Sequence, residues 1–219
     1  MPYELLLIER EDKLATVTLN RAEKRNALNT QLRDEIGAAL EELEADDSVS
    51  VAVLTGAGPV FCAGFDIKEF ETTPPAEVFA GESSRRYHER VQRFAKPLVA
   101  AVNGPAMGGG FDLAVLCDVR IAAEGALFGH PEIKFGAPTL FGPLAAIIGG
   151  GLARDLCLSG RTIDAQEALR TGLVSAVVPA ERLLEEAQAV ARAIAEAPPA
   201  TLRAVKAAML DATGWKFEP

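Results

Sequence analysis

The chain has 219 residues, 49% of them hydrophobic and 24% charged, which at roughly 150 residues per domain makes one large folded domain and excludes disorder or a coiled coil. Its 22 basic and 31 acidic side chains leave a formal net charge of −9. That excludes a general nucleic-acid binder, whose footprint is a basic face, but leaves room for an anion held by a local basic cluster.

Residues 5–8 and 15–19 are short apolar runs, the second alternating with Thr, and read as a hairpin around 11–13. Asn29 or Thr30 caps a helix to about residue 44, with Leu32, Ile36, Ala39, Leu40 and Leu43 on one stripe. A buried strand is expected at 51–55. Residues 69–82, with Thr72, Thr73, Pro74 and Pro75 in the middle, read as a loop or short helix, and 82–94 as a basic helix. A second strand at 98–102 leads through Asn103, Gly104 and Pro105 to a helix at 109–117. Short strands follow at 119–122 and 127–129, and one more at 173–178. The rest is helical, at 140–148, 152–158, 164–170, 183–197 and 201–212. A strand–turn–strand–helix unit at 5–44 returns more loosely at 98–122, and no linker divides the chain, so one α/β domain is expected.

Cys62, Cys117 and Cys157 form neither a disulfide framework nor a paired zinc motif, so the expected setting is reducing and cytoplasmic. No basic, apolar leader follows Met1, and no run of about 18 apolar residues could span a bilayer.

Two turns carry candidate chemistry. Gly56, Ala57 and Gly58 follow a strand, but Phe61 stands where a dinucleotide fingerprint needs its third glycine. Gly108, Gly109 and Gly110 open an apolar helix, where bare N–H groups and the helix dipole favour an oxyanion. Asp112, three residues after Gly109, shares its face. Close helix–strand contact would explain the glycines equally well. Glu132 follows Pro131 in an apolar neighbourhood that would raise its pKa, as proton-transfer chemistry requires. His130 reads as a structural neighbour of Glu132, and His88 as a solvated residue on the basic helix. The basic run Arg85, Arg86, Arg90, Arg93 and Lys96 reads as a solvated helix face.

Four segments together resemble the crotonase (enoyl-CoA hydratase/isomerase) superfamily, in that family's order: LNRAEKRNAL at 19–28, FCAGFDIKE at 61–69, AVNGPAMGGG at 101–110 and FGHPEI at 128–133. The resemblance runs from about residue 5 to 213. It implies an α/β fold made as a spiral of ββα units, with a helical C-terminal trimerisation region. Residues 1–219 would form a single domain, with a core at about 1–180 and a C-terminal region at about 181–219 that is shorter than usual. The implied partners are an acyl-CoA thioester and further copies of the chain, as a homotrimer or dimer of trimers, with no nucleic acid and no membrane. Coenzyme A is then part of the substrate, and neither a separate cofactor nor a metal is implied.

By the same resemblance the backbone N–H groups of Phe65 and Gly109 form an oxyanion hole. Lys24, Arg25, Asn26, Ala27, Ala63, Gly64, Asp66, Ile67 and Lys68 surround CoA, with Arg21, Lys24 and Lys68 as a basic patch for its phosphates. Glu132 and Asp112 are the implied catalytic carboxyls. The family usually has glutamate at both places and alanine where Phe65 stands, so Asp112 is a methylene short and Phe65 brings a ring to the acyl pocket. The expectation is an enoyl-CoA hydratase of fatty-acid or lipid metabolism. The alternatives are a 3-enoyl/2-enoyl isomerase working through Glu132 alone, a hydrolase or decarboxylase using the same hole, and a non-catalytic binder of CoA thioesters.

Overall fold

The structure, a computed structural model, describes residues 3–213. The N-terminal hairpin forms as β1 (Leu6–Glu11) and β2 (Leu14–Leu19), paired antiparallel around Asp12 and Lys13. The helix α1 (Thr30–Ala45) starts at Asn29, whose side chain accepts the Leu32 N–H, and lays Leu32, Ile36, Ala39, Leu40 and Leu43 into the core. After β3 (Val51–Gly56), the proline-rich stretch forms a 3-10 turn at Ile67–Glu71 and the short helix α2 (Pro75–Ala80), and α3 (Glu82–Arg93) follows. The second strand–helix unit is β4 (Leu98–Val102), β5 (Ala106–Met107), α4 (Gly109–Leu116) and β6 (Val119–Ala123). Then come β7 (Leu127–Gly129), a 3-10 turn at Pro131–Phe135, α5 (Phe141–Ile148), α6 (Gly150–Ser159), β8 (Thr162–Asp164) and α7 (Ala165–Arg170). The chain continues through β9 (Ala176–Val178), α8 (Leu183–Ala195) and α9 (Pro199–Thr213).

Six strands form one sheet in the order β1-β2-β3-β4-β6-β9, parallel apart from the first hairpin. Side chains alternate between its faces, as the two-residue strand period demands. Ala52, Leu54, Leu98, Ala100 and Val102 join the main core beneath α1, α3 and α4. Val51, Val53, Val99 and Ala101 face the other way, against Leu183, Ala187, Ala191 and Ala195 of α8. A mostly parallel sheet needs both faces covered, and here α8 covers the second. A small second sheet, β5-β7-β8, lies beside the first and brings the start of α4 next to the chain after β7. Among the described residues no helix is long and apolar enough to cross a membrane.

Three expectations change. The predicted strand at 173–178 pairs only at Ala176–Val178, because Leu173 and Val174 bond back to Ala168 at the end of α7. The basic helix face is not simply solvated. Arg86 pairs with Asp34 at 3.4 Å and Arg90 with Glu44 at 3.4 Å, so α3 is tied to α1 of its own chain. Lys96 is buried and donates to the carbonyls of Leu43 and Asp46 at 2.7 and 2.6 Å.

Candidate active site

The three glycines meet three separate demands. Gly108 has φ +53° and ψ −128°, a conformation that a Cβ would strain. Its N–H donates to Gly129 at 2.9 Å, which fixes the turn against β7. A Cβ on Gly110 would overlap the Cys62 carbonyl, so this glycine serves close backbone contact. A Cβ on Gly109 would meet the Phe65 ring at 2.7 Å. At all three positions backbone conformation or close contact requires glycine.

Gly109 is the first residue of α4, so its N–H has no acceptor within the helix. Opposite it runs the segment around Phe65. Leu28 donates to the Gly64 carbonyl at 2.8 Å and accepts from the Asp66 N–H at 3.3 Å, in a parallel bridge between Leu28 and Phe65. Backbone groups alternate along an extended segment, so the Phe65 N–H points away from Leu28. Gly64, at φ +92°, lets this segment close on α4, since a Cβ there would sit 3.3 Å from the Gly109 nitrogen. The segment at Gly64 and Phe65 is thus held against the start of α4.

Beside them lies a cavity of about 110 Å³, lined by Gly64, Phe65, Gly108, Gly109, Asp112, Pro131 and Glu132, with Phe70, Pro75, Phe79 and Phe135 as an apolar wall. Both predicted carboxyls reach it. Asp112 is 1% exposed, and neither of its oxygens has a hydrogen-bond partner among the described residues. Its Oδ1 lies 3.7 Å from His130 Nε2 and its Oδ2 3.7 Å from His88 Nε2. Glu132 Oε1 is 2.8 Å from His130 Nδ1, while Oε2 has no hydrogen-bond partner among the described residues and lies against Gly108. Burial pushes the Glu132 carboxyl above the ordinary glutamate range, and contact with His130 only partly offsets it. Burial alone would depress His130, yet Asp112 and Glu132 together raise it. Asp112, His130 and Glu132 could each offer an atom to a cation within 4.8 Å of the others. Each nitrogen of the single ring faces a different carboxyl, however, so the geometry is that of a bridge rather than a ligand set.

Burial pushes the Cys62 thiol up to about 12, so it stays protonated and serves as a small side chain in the turn. Phe65 is held over the site by the Phe79 ring at 6.2 Å and by the Arg33 guanidinium, 5.1 Å from its centroid.

The predicted CoA-side residues divide in two. The bond from Ala63 N–H to the Arg25 carbonyl, 3.0 Å, and the Leu28–Phe65 bridge bring 24–28 and 63–68 side by side. Lys24, Arg25, Ala63, Ile67 and Lys68 are exposed there and Ala27 is half-buried. Asn26 and Asp66 are different. Asn26 is fully buried, and its Nδ2 donates to the carbonyls of Ala57, Val60 and Phe61 at 3.0, 2.8 and 3.1 Å. Asp66 pairs with Arg21 at 2.6 Å and accepts the Lys68 N–H at 3.1 Å. Their side chains brace the two loops. Arg21 likewise leaves the expected phosphate patch, because it is spent on Asp66 and the Ala27 carbonyl.

Two site residues escaped the sequence reading. His88 is fully buried between Phe65, Phe79 and Asp112 rather than solvated. Its signal was the inward stripe Ser84, Tyr87, His88 and Val91, at helical spacing amid arginines. Arg33, 3% exposed beneath Phe65, lay on the apolar face of α1, where a lone arginine passes for a solvated neighbour.

Comparison with known proteins agrees with this geometry. The family model described as "Enoyl-CoA hydratase/isomerase" matches residues 9–216. Over 212 residues the chain is 43% identical to a Mycobacterium tuberculosis protein named "Probable enoyl-CoA hydratase echA8", covering 95% of this chain and 82% of that one. Over 207 residues it is 41% identical to the "2,3-dehydroadipyl-CoA hydratase" of Escherichia coli, covering 93% and 81%. The crystal structure of an enoyl-CoA hydratase from Bacillus anthracis superposes with a TM-score of 0.90 at 35% identity, over 97% of this chain and 85% of that one. Fold, family match and relatives agree: the chain belongs to the enoyl-CoA hydratase/isomerase, or crotonase, family.

Proposed function

We propose that this protein is an enoyl-CoA hydratase that adds water across the double bond of a 2-enoyl-CoA thioester. The observation that carries the reading is one cavity that gathers two backbone donors, Phe65 and Gly109, and two carboxyls, Asp112 and Glu132. The thioester oxygen sits between the two N–H groups, which stabilise the enolate formed as the double bond is attacked. Asp112 accepts a proton from water as the water oxygen bonds to Cβ, and Glu132, whose carboxyl burial pushes above the ordinary glutamate range, delivers a proton to Cα. The exposed Lys24, Arg25 and Lys68 meet the CoA phosphates at the cavity's outer side. No cofactor beyond the CoA of the substrate enters this scheme. The working unit is a homotrimer or dimer of trimers. The relatives' names support hydration as the reaction.

A second reading, 3-enoyl to 2-enoyl isomerisation, draws on the burial of Asp112 against two imidazoles while Glu132 keeps an oxygen free at the cavity. The test is a thioester panel followed by loss of enoyl absorbance and by product analysis. Hydroxyacyl-CoA formation is the expected result. Isomer formation without hydration would put the second reading first, and CoA release would indicate hydrolysis.

A further inference from the structure

His130 has no role in the hydration scheme, yet it occupies the centre of the buried cluster. It is 0% exposed, and its ring lies 4.7 Å from that of Phe111. Each of its nitrogens faces a carboxyl oxygen, Nδ1 at 2.8 Å from Glu132 Oε1 and Nε2 at 3.7 Å from Asp112 Oδ1. A neutral imidazole carries one N–H, so its bare nitrogen would need the O–H of a protonated carboxyl, which on Glu132 Oε1 would draw the proton away from the oxygen at the cavity. Only the imidazolium donates in both directions. Its charge would be prohibitive in an apolar interior alone, and here it lies between two acid groups.

We propose that His130 is a positioning residue that stands as an imidazolium between Asp112 and Glu132 and so fixes the transferable proton of Glu132 on Oε2. With Nδ1–H donating to Oε1, that oxygen must accept, and the carboxyl proton goes to the other. Oε2 is the oxygen without a hydrogen-bond partner among the described residues, beside Gly108 at the wall of the cavity. The same ring presents Nε2–H to Asp112. The 3.7 Å separation exceeds a hydrogen bond, so this contact is electrostatic. One side chain thereby gives the two acids different tasks. Glu132 is kept as a neutral donor aimed at the substrate, and Asp112 as the acceptor for the proton of water.

The titratable groups around the ring come from several elements. Asp112 approaches from α4, with His88 of α3 behind it. Glu132 lies on the ring's own turn, where Lys134 is exposed to solvent. Cys157 of α6 is influenced by both carboxyls, and burial keeps its thiol protonated.

The role in catalysis rests on the hydration reading, whereas the protonation state does not, and this separates the two in experiment. Nitrogen-15 spectra of the imidazole rings in the full chain should show His130 protonated on both nitrogens at pH 7. Asp112→Asn should lower its titration midpoint by removing one of the two flanking acids. In kinetics with crotonyl-CoA, His130→Gln should lower kcat roughly tenfold to a hundredfold at nearly constant KM, the scale of a misplaced reacting group. The wild-type alkaline limb, set by loss of the imidazolium, should vanish. His130→Asn serves if the Gln variant folds poorly by circular dichroism. A neutral ring at pH 7, or a folded variant with wild-type kcat and pH profile, overturns the proposal. Absence of hydration in the wild type overturns the hydration reading, and the spectra still decide the state of His130.

Discussion

The ring of Phe65 occupies the space that a side chain on Gly109 would need, with a Cβ at 109 only 2.7 Å from its Cε2. The two residues proposed to offer the oxyanion-hole N–H groups thus meet through a ring edge and a missing methyl. Gly109→Ala should push the ring or the start of α4 out of place and reduce turnover about a hundredfold, comparable to losing one oxyanion donor. Phe65→Ala removes the obstacle, so the double variant should recover much of that loss. Steady-state kinetics of the single and double variants measure this coupling. Additive losses would show that the ring and the glycine act independently.

Burial raises the demand on the loop that carries the CoA-side residues. Arg25 and Asn26 both adopt left-handed backbone, at φ 53° and 54°, and the Asn26 amide donates to three carbonyls, that of Phe61 fully buried. Asn26→Ala leaves those groups short of a donor and should cost about 2–4 kcal/mol, a few hydrogen bonds at roughly 1 kcal/mol each plus desolvation. A lower denaturant midpoint with an unchanged slope is the expected result.

Asp66 and Arg21 form the other brace, 10% and 13% exposed at their side chains. Burial would raise the Asp66 carboxyl, but the Arg21 hydrogen bond and charge outweigh it and hold the group below the ordinary aspartate range. A folded-state pKa below the unfolded one stabilises the protein above about pH 4, and that gain is lost as pH falls through the folded value. Asp66→Asn should therefore lower the melting temperature at pH 7, with the gap to wild type narrowing below pH 4. A gap that stays constant to pH 3 would show that the carboxylate charge contributes nothing.

Most of the architecture was legible because it rests on local signals. The Asn29 cap, the α1 stripe and the β1–β2 hairpin each follow from residues within a few positions of one another. Of the second sheet only β7 was legible. Ala106–Met107 and Thr162–Asp164 are strands of two and three residues whose identity comes from partners far along the chain. The candidate site divides the same way. Gly109, Asp112 and Glu132 were marked by motif. The actual jobs of Asn26, Asp66, Lys96 and His88 depended on which face of a turn or helix meets the core, and polar composition argues for solvent at all four.

The role of Asp112 separates function from stability. Glu132→Gln keeps the shape of the side chain but cannot deliver a proton, so it should abolish hydration. Asp112→Asn should cost hydration about a hundredfold or more, because the amide cannot accept the proton of water, while an isomerisation that shuttles one proton on Glu132 would fall much less. Stability should move the other way. Asp112 is a buried acid with no hydrogen-bond partner among the described residues, an arrangement that disfavours the folded state and persists where function requires it. The neutral amide relieves that cost, its oxygen can still accept from His130 Nε2–H, and His130 can shed its proton once the counter-charge is gone, so Asp112→Asn should melt at or above the wild-type temperature. Kinetics and thermal unfolding on the same preparation settle the matter. A variant that is slower and also less stable would mean that Asp112 holds the site together, and a variant with undiminished hydration would remove it from the reaction.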